Sequence, residues 1–250
     1  MDYFSSCFTL DRTRPPRRYG AVRRWIQGAA LALALLPASG LLAIYTAQAG
    51  EPITLVALGD SLSAGYNLPQ EAAFPVRLQA ALRDKGYDVT VINAGVSGDT
   101  TAGGLSRLDW MLADDPDGVI LELGANDGLR GLDPAKTKEN LAAIITRLKS
   151  EGVAVLLAGM LAPPNLGRDY SREFNVLYGE LAREQDVLLY PFFLDGVAGQ
   201  PDLNLEDGIH PTPEGVNIIV SRILPMVEAL IDRIQVSSKG ADSKGEGKGQ

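Results

Sequence analysis

The 250-residue sequence contains one cysteine, Cys7, and one histidine, His210. Cys7 lies in an N-terminal segment with the features of a cleavable signal. The rest of the chain therefore has no thiol for a disulfide bond, a cysteine nucleophile or a cysteine-ligated metal. One imidazole is also too few for a zinc site built on histidines. We expect no cofactor and no metal, and chemistry that needs an imidazole has to use His210.

Positive charge is scarce beyond residue 49. The chain has 23 Lys and Arg against 31 Asp and Glu, a net charge of −8. Residues 1–49 hold six arginines and two aspartates, a net charge of +4, so the remainder carries −12. Such an excess of negative charge disfavours nucleic acids and anionic membrane surfaces as partners. No pattern in the sequence predicts an oligomeric state.

The first 49 residues have the pattern of an export signal. Their arginines precede Gly28 to Tyr45, eighteen mostly apolar residues, and the tripeptide Ala47-Gln48-Ala49 is an A-x-A cleavage pattern. We predict a signal peptide over 1–49, cleaved on export to the periplasm or medium, which leaves no stable membrane anchor. Pro37 and Gly40 favour cleavage. The alternative is an uncleaved anchor in the inner membrane, because eighteen apolar residues are the lower limit for a span.

From residue 50 onward, short apolar runs alternate with amphipathic segments, which predicts an α/β fold whose parallel sheet is covered by helices on both faces. We assign residues 50–236 to one domain and expect the Lys, Gly and Ser-rich residues 237–250 to be disordered. Strands are predicted at Ile53–Leu58, Val89–Asn93, Val119–Leu123, Val153–Ala158 and Val187–Tyr190. Helices are predicted near Phe74–Lys85, Thr101–Leu112, Pro134–Ser150 and Ser171–Gln185, and from Pro213 to about Ile234.

Ser61 follows the first predicted strand within the sequence Gly59-Asp60-Ser61-Leu62. The carboxyl end of such a strand is where α/β sheets present reacting groups, so we consider Ser61 as a nucleophile. The alternative is that Ser61 only N-caps the next helix. A serine nucleophile needs an adjacent base, and His210 is the only imidazole, with Asp207 three residues earlier to orient its ring.

Four separated blocks of this sequence resemble those of the SGNH or GDSL hydrolases, within them the bacterial acyl-CoA thioesterase, lysophospholipase and arylesterase type. The blocks are Gly59–Tyr66, Val96–Thr100, Gly124–Gly128 and Asp207–Pro211. Ala125 stands where close members often have glycine. The resemblance implies a flavodoxin-like three-layer αβα sandwich, the SGNH hydrolase fold, with five parallel strands in the order 2-1-3-4-5.

The resemblance also implies the roles of individual residues. It implies a catalytic triad of Ser61, Asp207 and His210, with an oxyanion hole formed by the backbone N–H groups of Ser61 and Gly98 and the side-chain amide of Asn126. Two simpler interpretations stay open: Gly98 is a glycine only for its turn, and Asn126 bonds only its own loop. The acyl group is expected against the loops after strands three and four, at Leu129, Leu132, Met160, Leu161, Ala162 and Leu166.

Several other charged residues are expected to have structural roles. We expect Asp60 to bond loop amides, and Asp99, Asp127 and Arg130 to brace loops. Glu122 lies in an apolar strand, where an ionised carboxylate is costly without a partner, and the sequence does not identify that partner.

The predicted function is a serine esterase acting on arylesters, lysophospholipids or thioesters through an acyl-enzyme. The alternatives are a carbohydrate O-deacetylase of the same family and a non-catalytic flavodoxin-like binding module. Ser63 replaces the second glycine of a Gly-x-Ser-x-Gly elbow, which argues against the α/β-hydrolase fold.

Overall fold

Five parallel strands and eight α-helices make up the part of the chain that the computed structural model describes, residues 52–245. The strands are β1 (Ile53–Gly59), β2 (Val89–Gly95), β3 (Gly118–Glu122), β4 (Ala154–Ala158) and β5 (Leu188–Tyr190). The helices are α1 (Ser61–Ala64), α2 (Phe74–Asp84), α3 (Thr101–Ser106), α4 (Leu108–Leu112), α5 (Ala125–Leu129), α6 (Pro134–Ser150), α7 (Arg168–Gln185) and α8 (Pro213–Gly245).

The sheet has the order β2-β1-β3-β4-β5 with every neighbouring pair parallel, which confirms the predicted α/β class and flavodoxin-like order. In the register of the three central strands, Gly59 lies beside Gly95 on one side and Glu122 on the other. The loops that follow β1, β2 and β3 therefore begin side by side at the carboxyl edge. This arrangement brings residues distant in sequence to one place.

The core lies on both faces of the sheet. Leu55, Val56, Ala57 and Leu58 of β1 are fully buried, as expected for a strand covered on both sides. The helices pack in two groups, α2 with α8 and α6 with α7, each through an apolar stripe at helical spacing. Each fully buried Leu or Ile side chain in these stripes contributes about 1.5–3 kcal/mol to folding.

The predicted helix at 101–112 is instead two short helices separated at Arg107. The Arg107 guanidinium donates to the carbonyl oxygens of Gly59 and Ala94 at 2.9 and 2.8 Å, and to Asp99 at 2.6 Å. Because these bonds fix the Arg107 side chain under the ends of β1 and β2, the chain bends there. Helix α5 was not predicted, because five residues that include glycine, asparagine and aspartate carry no helical periodicity.

The last helix is longer than predicted. It was expected to end near Ile234, but α8 continues to Gly245. The disorder predicted for residues 237–250 stays a prediction. Extending an existing helix requires no new nucleation, so a polar segment can continue a helix whose first turns are packed. The predicted signal peptide lies outside the described residues. Within residues 52–245, none of the helices is both long and apolar enough to cross a membrane.

Candidate active site

Ser61 is the first residue of α1, immediately after the turn that ends β1. The preceding residue, Asp60, caps this helix: its side chain accepts a hydrogen bond from the Leu62 amide at 3.0 Å. The interpretation of Ser61 as a helix cap is therefore wrong, and its hydroxyl is free to bond elsewhere. Ser61 Oγ lies 2.8 Å from Nε2 of His210, a residue 149 positions away.

His210 is oriented by Asp207 on a tight loop. Its Nδ1 lies 2.7 Å from Asp207 Oδ2, while Asp207 Oδ1 accepts from the backbone amides of His210 and Ile209 at 3.0 and 2.9 Å. Gly208 between them has a φ of 69°, a left-handed conformation that glycine adopts without strain. The spacing of three residues thus gives the contact that the sequence predicted.

The charge state of Asp207 determines the tautomer of the imidazole. Three hydrogen bonds lower the pKa of Asp207 to about 2. The largest effect comes from the His210 backbone amide, followed by the Ile209 amide and the His210 imidazole. An ionised carboxylate can only accept hydrogen bonds, so Nδ1 of His210 carries the hydrogen. The other ring nitrogen, Nε2, is then an acceptor facing the Ser61 hydroxyl, as a general base has to be.

Gly98 and Asn126 lie at the same cavity as Ser61. Gly98 has a φ of 84°, and a Cβ there would meet nothing closer than Arg130 at 3.8 Å, so the backbone conformation and not lack of space requires glycine. Asn126 Nδ2 donates to Asp60 Oδ2 at 2.9 Å, which joins it to the loop after β1 and not only to its own. This bond uses one of the two amide hydrogens of Asn126. Because the amide group is planar, the bond also fixes the direction of the second hydrogen.

Glu122, whose partner the sequence did not identify, bonds to the loop that carries Ser61. Its Oε2 accepts from the Ser63 hydroxyl at 2.8 Å and from the Asp60 amide at 3.3 Å. Burial, followed by the charge of Asp60, raises the pKa of Glu122 well above its usual range. Burial also raises the pKa of Asp60 to about 6, although the bonds from Leu62 and Asn126 oppose the shift.

Three further polar residues brace the loops around the site, as the sequence suggested. Asp99 pairs with Arg107 at 2.6 Å. Asp127 accepts from the amide and hydroxyl of Thr101 at 2.8 and 2.6 Å. Arg130 donates to the Gly98 carbonyl oxygen at 2.8 Å. These contacts hold the loops after β2 and β3 against each other.

A cavity of about 480 Å³ opens beside Ser61. Four of the six residues predicted to contact an acyl group line it, together with two prolines: Leu129, Met160, Leu161, Ala162, Pro163 and Pro164. Leu132 and Leu166, the other two predicted residues, are not among those that line it. Leu132 is 41% exposed, and its carbonyl oxygen accepts a hydrogen bond from the Tyr170 hydroxyl at 2.8 Å.

The apolar lining residues that were not predicted include Tyr66, Phe192, Leu194 and Ile209. The Tyr66 ring lies 4.4 Å from the His210 ring, centroid to centroid, at an angle of 36°. Phe192 and Leu194 follow β5, which ends at the same edge of the sheet as the other strands. Applying the sheet-edge argument to strand five as well as to the first four would have found them.

A family model described as the GDSL-like lipase/acylhydrolase family matches residues 57–218. An arylesterase from Vibrio mimicus is 48% identical over 161 residues, 64% of this chain and 80% of the relative. Thioesterase 1/protease 1/lysophospholipase L1 from Escherichia coli K12 is 40% identical over 193 residues, 76% of this chain and 91% of the relative. The crystal structure of AlinE4, an SGNH-hydrolase family esterase, matches with a TM-score of 0.62 and 47% identity over 72% of this chain and 97% of that one.

Proposed function

The chain belongs to the GDSL-like lipase/acylhydrolase family, and we propose that it hydrolyses carboxylic esters through an acyl-enzyme on Ser61. The observation that carries this proposal is the continuous chain of contacts from Asp207 through His210 to Ser61, at 2.7 and 2.8 Å. A serine bonded to an imidazole, which is bonded in turn to a carboxylate, is the arrangement that activates a hydroxyl for acyl transfer.

In the proposed reaction, Ser61 Oγ attacks the ester carbonyl carbon while His210 Nε2 accepts the hydroxyl proton. The imidazolium that forms is stabilised by Asp207, which stays ionised. The carbonyl oxygen becomes an oxyanion, for which we propose the N–H groups of Ser61 and Gly98 and the Asn126 amide as donors. His210 then donates its proton to the leaving alcohol or thiol, and water hydrolyses the acyl-enzyme by the same steps.

The cavity walls support an acyl chain as the recognised part of the substrate. Its lining is mostly aliphatic and aromatic, and the polar residues concentrate at the triad and at Gly98 and Asn126. Such a site buries a hydrocarbon chain and leaves the ester carbonyl at the polar end. We propose arylesters and lysophospholipids as substrates, with thioesters as a further class.

The two alternative functions explain the site less well. A carbohydrate deacetylase binds a substrate rich in hydroxyl groups, whereas this cavity offers them few polar partners away from the triad. A binding module has no use for the hydrogen bond between Ser61 and a carboxylate-oriented imidazole. The assay described next distinguishes the esterase from both the deacetylase and the binding module.

Hydrolysis of p-nitrophenyl acetate and butyrate tests the proposal directly. We expect Ser61→Ala and His210→Ala to lose nearly all turnover, and Ser221→Ala, an exposed serine on α8, to keep it. A panel of acyl chains on the same leaving group then measures the preferred length. Wild-type protein that releases no p-nitrophenol but deacetylates an acetylated sugar would favour the deacetylase, and inactivity on both would favour the binding module.

We also propose that residues 1–49 direct export and are cleaved after Ala49, so that the mature enzyme acts in the periplasm. The basic segment, apolar run and A-x-A pattern support this proposal. N-terminal sequencing of the protein recovered from a periplasmic extract should begin at Gly50. An intact N-terminus in the membrane fraction would favour the uncleaved anchor.

A further inference from the structure

Glu122 is a fully buried acid that makes no contact with the cavity, and its surroundings give it a role in organising the site. It is the last residue of β3 and is 0% exposed. One oxygen, Oε2, accepts from both Ser63 and Asp60, whereas the other, Oε1, has no hydrogen-bond partner among the described residues. Gly59 leaves room for this contact, because a Cβ there would collide with Ser63 Oγ and Glu122.

Asp60 is the second buried carboxyl group, and both of its oxygens are occupied by N–H donors. Oδ1 accepts from the Leu62 amide at 3.0 Å and Oδ2 from Asn126 Nδ2 at 2.9 Å. Only an ionised carboxylate satisfies both donors without placing its own hydrogen against one of them. Two ionised carboxylates next to each other in a buried site would be costly, so one of the pair has to be neutral.

The hydrogen bonds decide which of the two is neutral. Glu122 can carry a proton on Oε1 and still accept both of its bonds at Oε2, whereas Asp60 has no free oxygen for one. The pKa values point the same way, because that of Asp60 is raised only to about 6 and that of Glu122 is raised well above its usual range. The hydrogen-bond geometry thus places the proton of the pair on Glu122.

We propose that Glu122 is a positioning residue: as a neutral acid it holds the Asp60 amide and the Ser63 hydroxyl, and so keeps Asp60 in place as the ionised acceptor for Asn126. The segment Asp60 to Ser63 includes Ser61, so this network holds the nucleophile and the Asn126 amide in one arrangement. Glu122 acts through Asp60 and does not contact the reacting atoms.

The other charged and titratable groups near the pair are accounted for. His210 and Asp99 act on Asp60 across the site. Arg107, a positive charge, bonds to Asp99 and to the Gly59 carbonyl oxygen. Tyr178 on α7 is fully buried, its hydroxyl donates to the Leu123 carbonyl oxygen, and burial raises its pKa, so it stays neutral. None of these groups bonds to Glu122.

Four variants test the proposal. Glu122→Gln replaces a neutral acid with a neutral amide whose oxygen can accept the same two bonds, so its kcat should stay within about threefold of wild type, far from the cost of a lost oxyanion donor. Glu122→Leu removes the acceptor and should lower kcat by about 10- to 100-fold with little change in KM. Asp60→Asn places its NH₂ group against a second donor, either the Asn126 amide or the Leu62 N–H, and should lower kcat by a similar factor. Ile145→Ala, in the core at α6, is the control: it should lower Tm and leave kcat unchanged.

Two readouts separate positioning by a neutral acid from general stabilisation. The infrared carbonyl band of a protonated carboxylic acid should be present in wild type at pH 7 and absent from Glu122→Gln. The pH profiles of kcat/KM of these two proteins should superimpose, since the substitution removes no charge. The infrared measurement does not depend on turnover, so an inactive wild type would refute the proposed function while this band still tests the inference.

Three results would overturn the proposal: no such band in wild type, an acid limb in Glu122→Gln displaced by more than about half a pH unit, or a kcat of Glu122→Leu equal to that of Ile145→Ala. If Glu122→Leu does not fold, the glutamine variant and the infrared band still decide.

Discussion

Replacing Asp207 with asparagine is the sharpest perturbation of the site, because it keeps the shape of the side chain and removes only the charge. In the wild type, Oδ1 accepts from two backbone amides and Oδ2 faces Nδ1 of His210. An asparagine has one oxygen and one NH₂ group. If its oxygen keeps the two amides, its NH₂ group faces Nδ1, and the imidazole has to place its hydrogen on Nε2 to avoid a clash of donors.

That tautomer cannot accept the proton of Ser61. If the asparagine flips instead, its NH₂ group faces two N–H donors and the loop loses both bonds. In either case we expect kcat to fall by about 10³- to 10⁴-fold, the cost of the wrong tautomer in a serine triad. This loss corresponds to about 4–5.5 kcal/mol of transition-state stabilisation. KM should change little, because Asp207 does not line the acyl cavity.

Steady-state hydrolysis of p-nitrophenyl butyrate measures the effect, and circular dichroism checks that the variant is folded. Glu206→Gln is the matched control: it removes an adjacent, exposed negative charge that has no hydrogen bond to the triad, and it should keep full activity. A kcat for Asp207→Asn within tenfold of wild type would refute the assignment of Asp207 as the residue that orients the base.

Further predictions follow from other parts of the site. The double variant of Ser61→Ala and His210→Ala should be scarcely slower than the slower single variant, because the two act as a unit, and additive losses would contradict this. Asn126→Ala should lower kcat by about 10²-fold in the same assay, whereas a change confined to KM would assign Asn126 to substrate binding. Burial raises the folded-state pKa of Glu122 above its ordinary value of 4.5, so the wild type loses stability as pH rises above that value, whereas a glutamine does not titrate. The Tm of Glu122→Gln relative to wild type should therefore increase with pH, and a constant difference across pH would contradict the neutral state of Glu122. Acyl-CoA, which bears several phosphate charges, should be a poorer substrate than an uncharged ester of equal chain length, and added salt should raise its kcat/KM by screening repulsion; a better rate at low salt would contradict this.

The parts of the fold that rest on periodic apolar patterns could be predicted from the sequence. β1 is a continuous apolar run that is buried on both faces of the sheet. This pattern predicted both that the segment is a strand and where the strand begins and ends. Helix α6 begins at the predicted Asp133-Pro134 pair, where the Asp133 side chain accepts from the Ala135 amide at 2.9 Å. Such signals are local, so the sequence suffices to place them.

The structure also departs from the sequence predictions where contacts between distant segments decide the conformation. The break at Arg107 depends on carbonyl oxygens at the ends of β1 and β2, 48 and 13 positions away. The orientation of Leu132 and Leu166 depends on how their loops turn, and Gly131 and Gly167 both have positive φ values, of 61° and 88°. Apolar residues on these loops were all equally good candidates for the cavity until their turns were known.

The meeting of Ser61 with His210 was predictable for a different reason. With one imidazole in the chain, the choice of base required no long-range information, and the Asp207 spacing required only a tight loop. The environment of Glu122 could not be found in the same way, because its partner Ser63 is 59 positions away and is one of many serines. Because the chain has a single histidine, the contact of Ser61 with His210 could be predicted. Because it has many serines, the contact of Glu122 with Ser63 could not.

Asp207 and Glu122 lie in different environments, and each environment fits the role proposed for that carboxyl group. Asp207 is 37% exposed and accepts three hydrogen bonds, which stabilise its charge beside His210. Glu122 is fully buried and bonds to Asp60 and Ser63 on either side of Ser61, where a second charge would oppose that of Asp60. A neutral acid there supplies an acceptor for the turn without adding a second negative charge beside Asp60. On this argument, the burial of Glu122 keeps the turn that carries Ser61 free of a second negative charge, whereas the proposed role of the Asp207 charge is to stabilise the imidazolium once Ser61 has given up its proton.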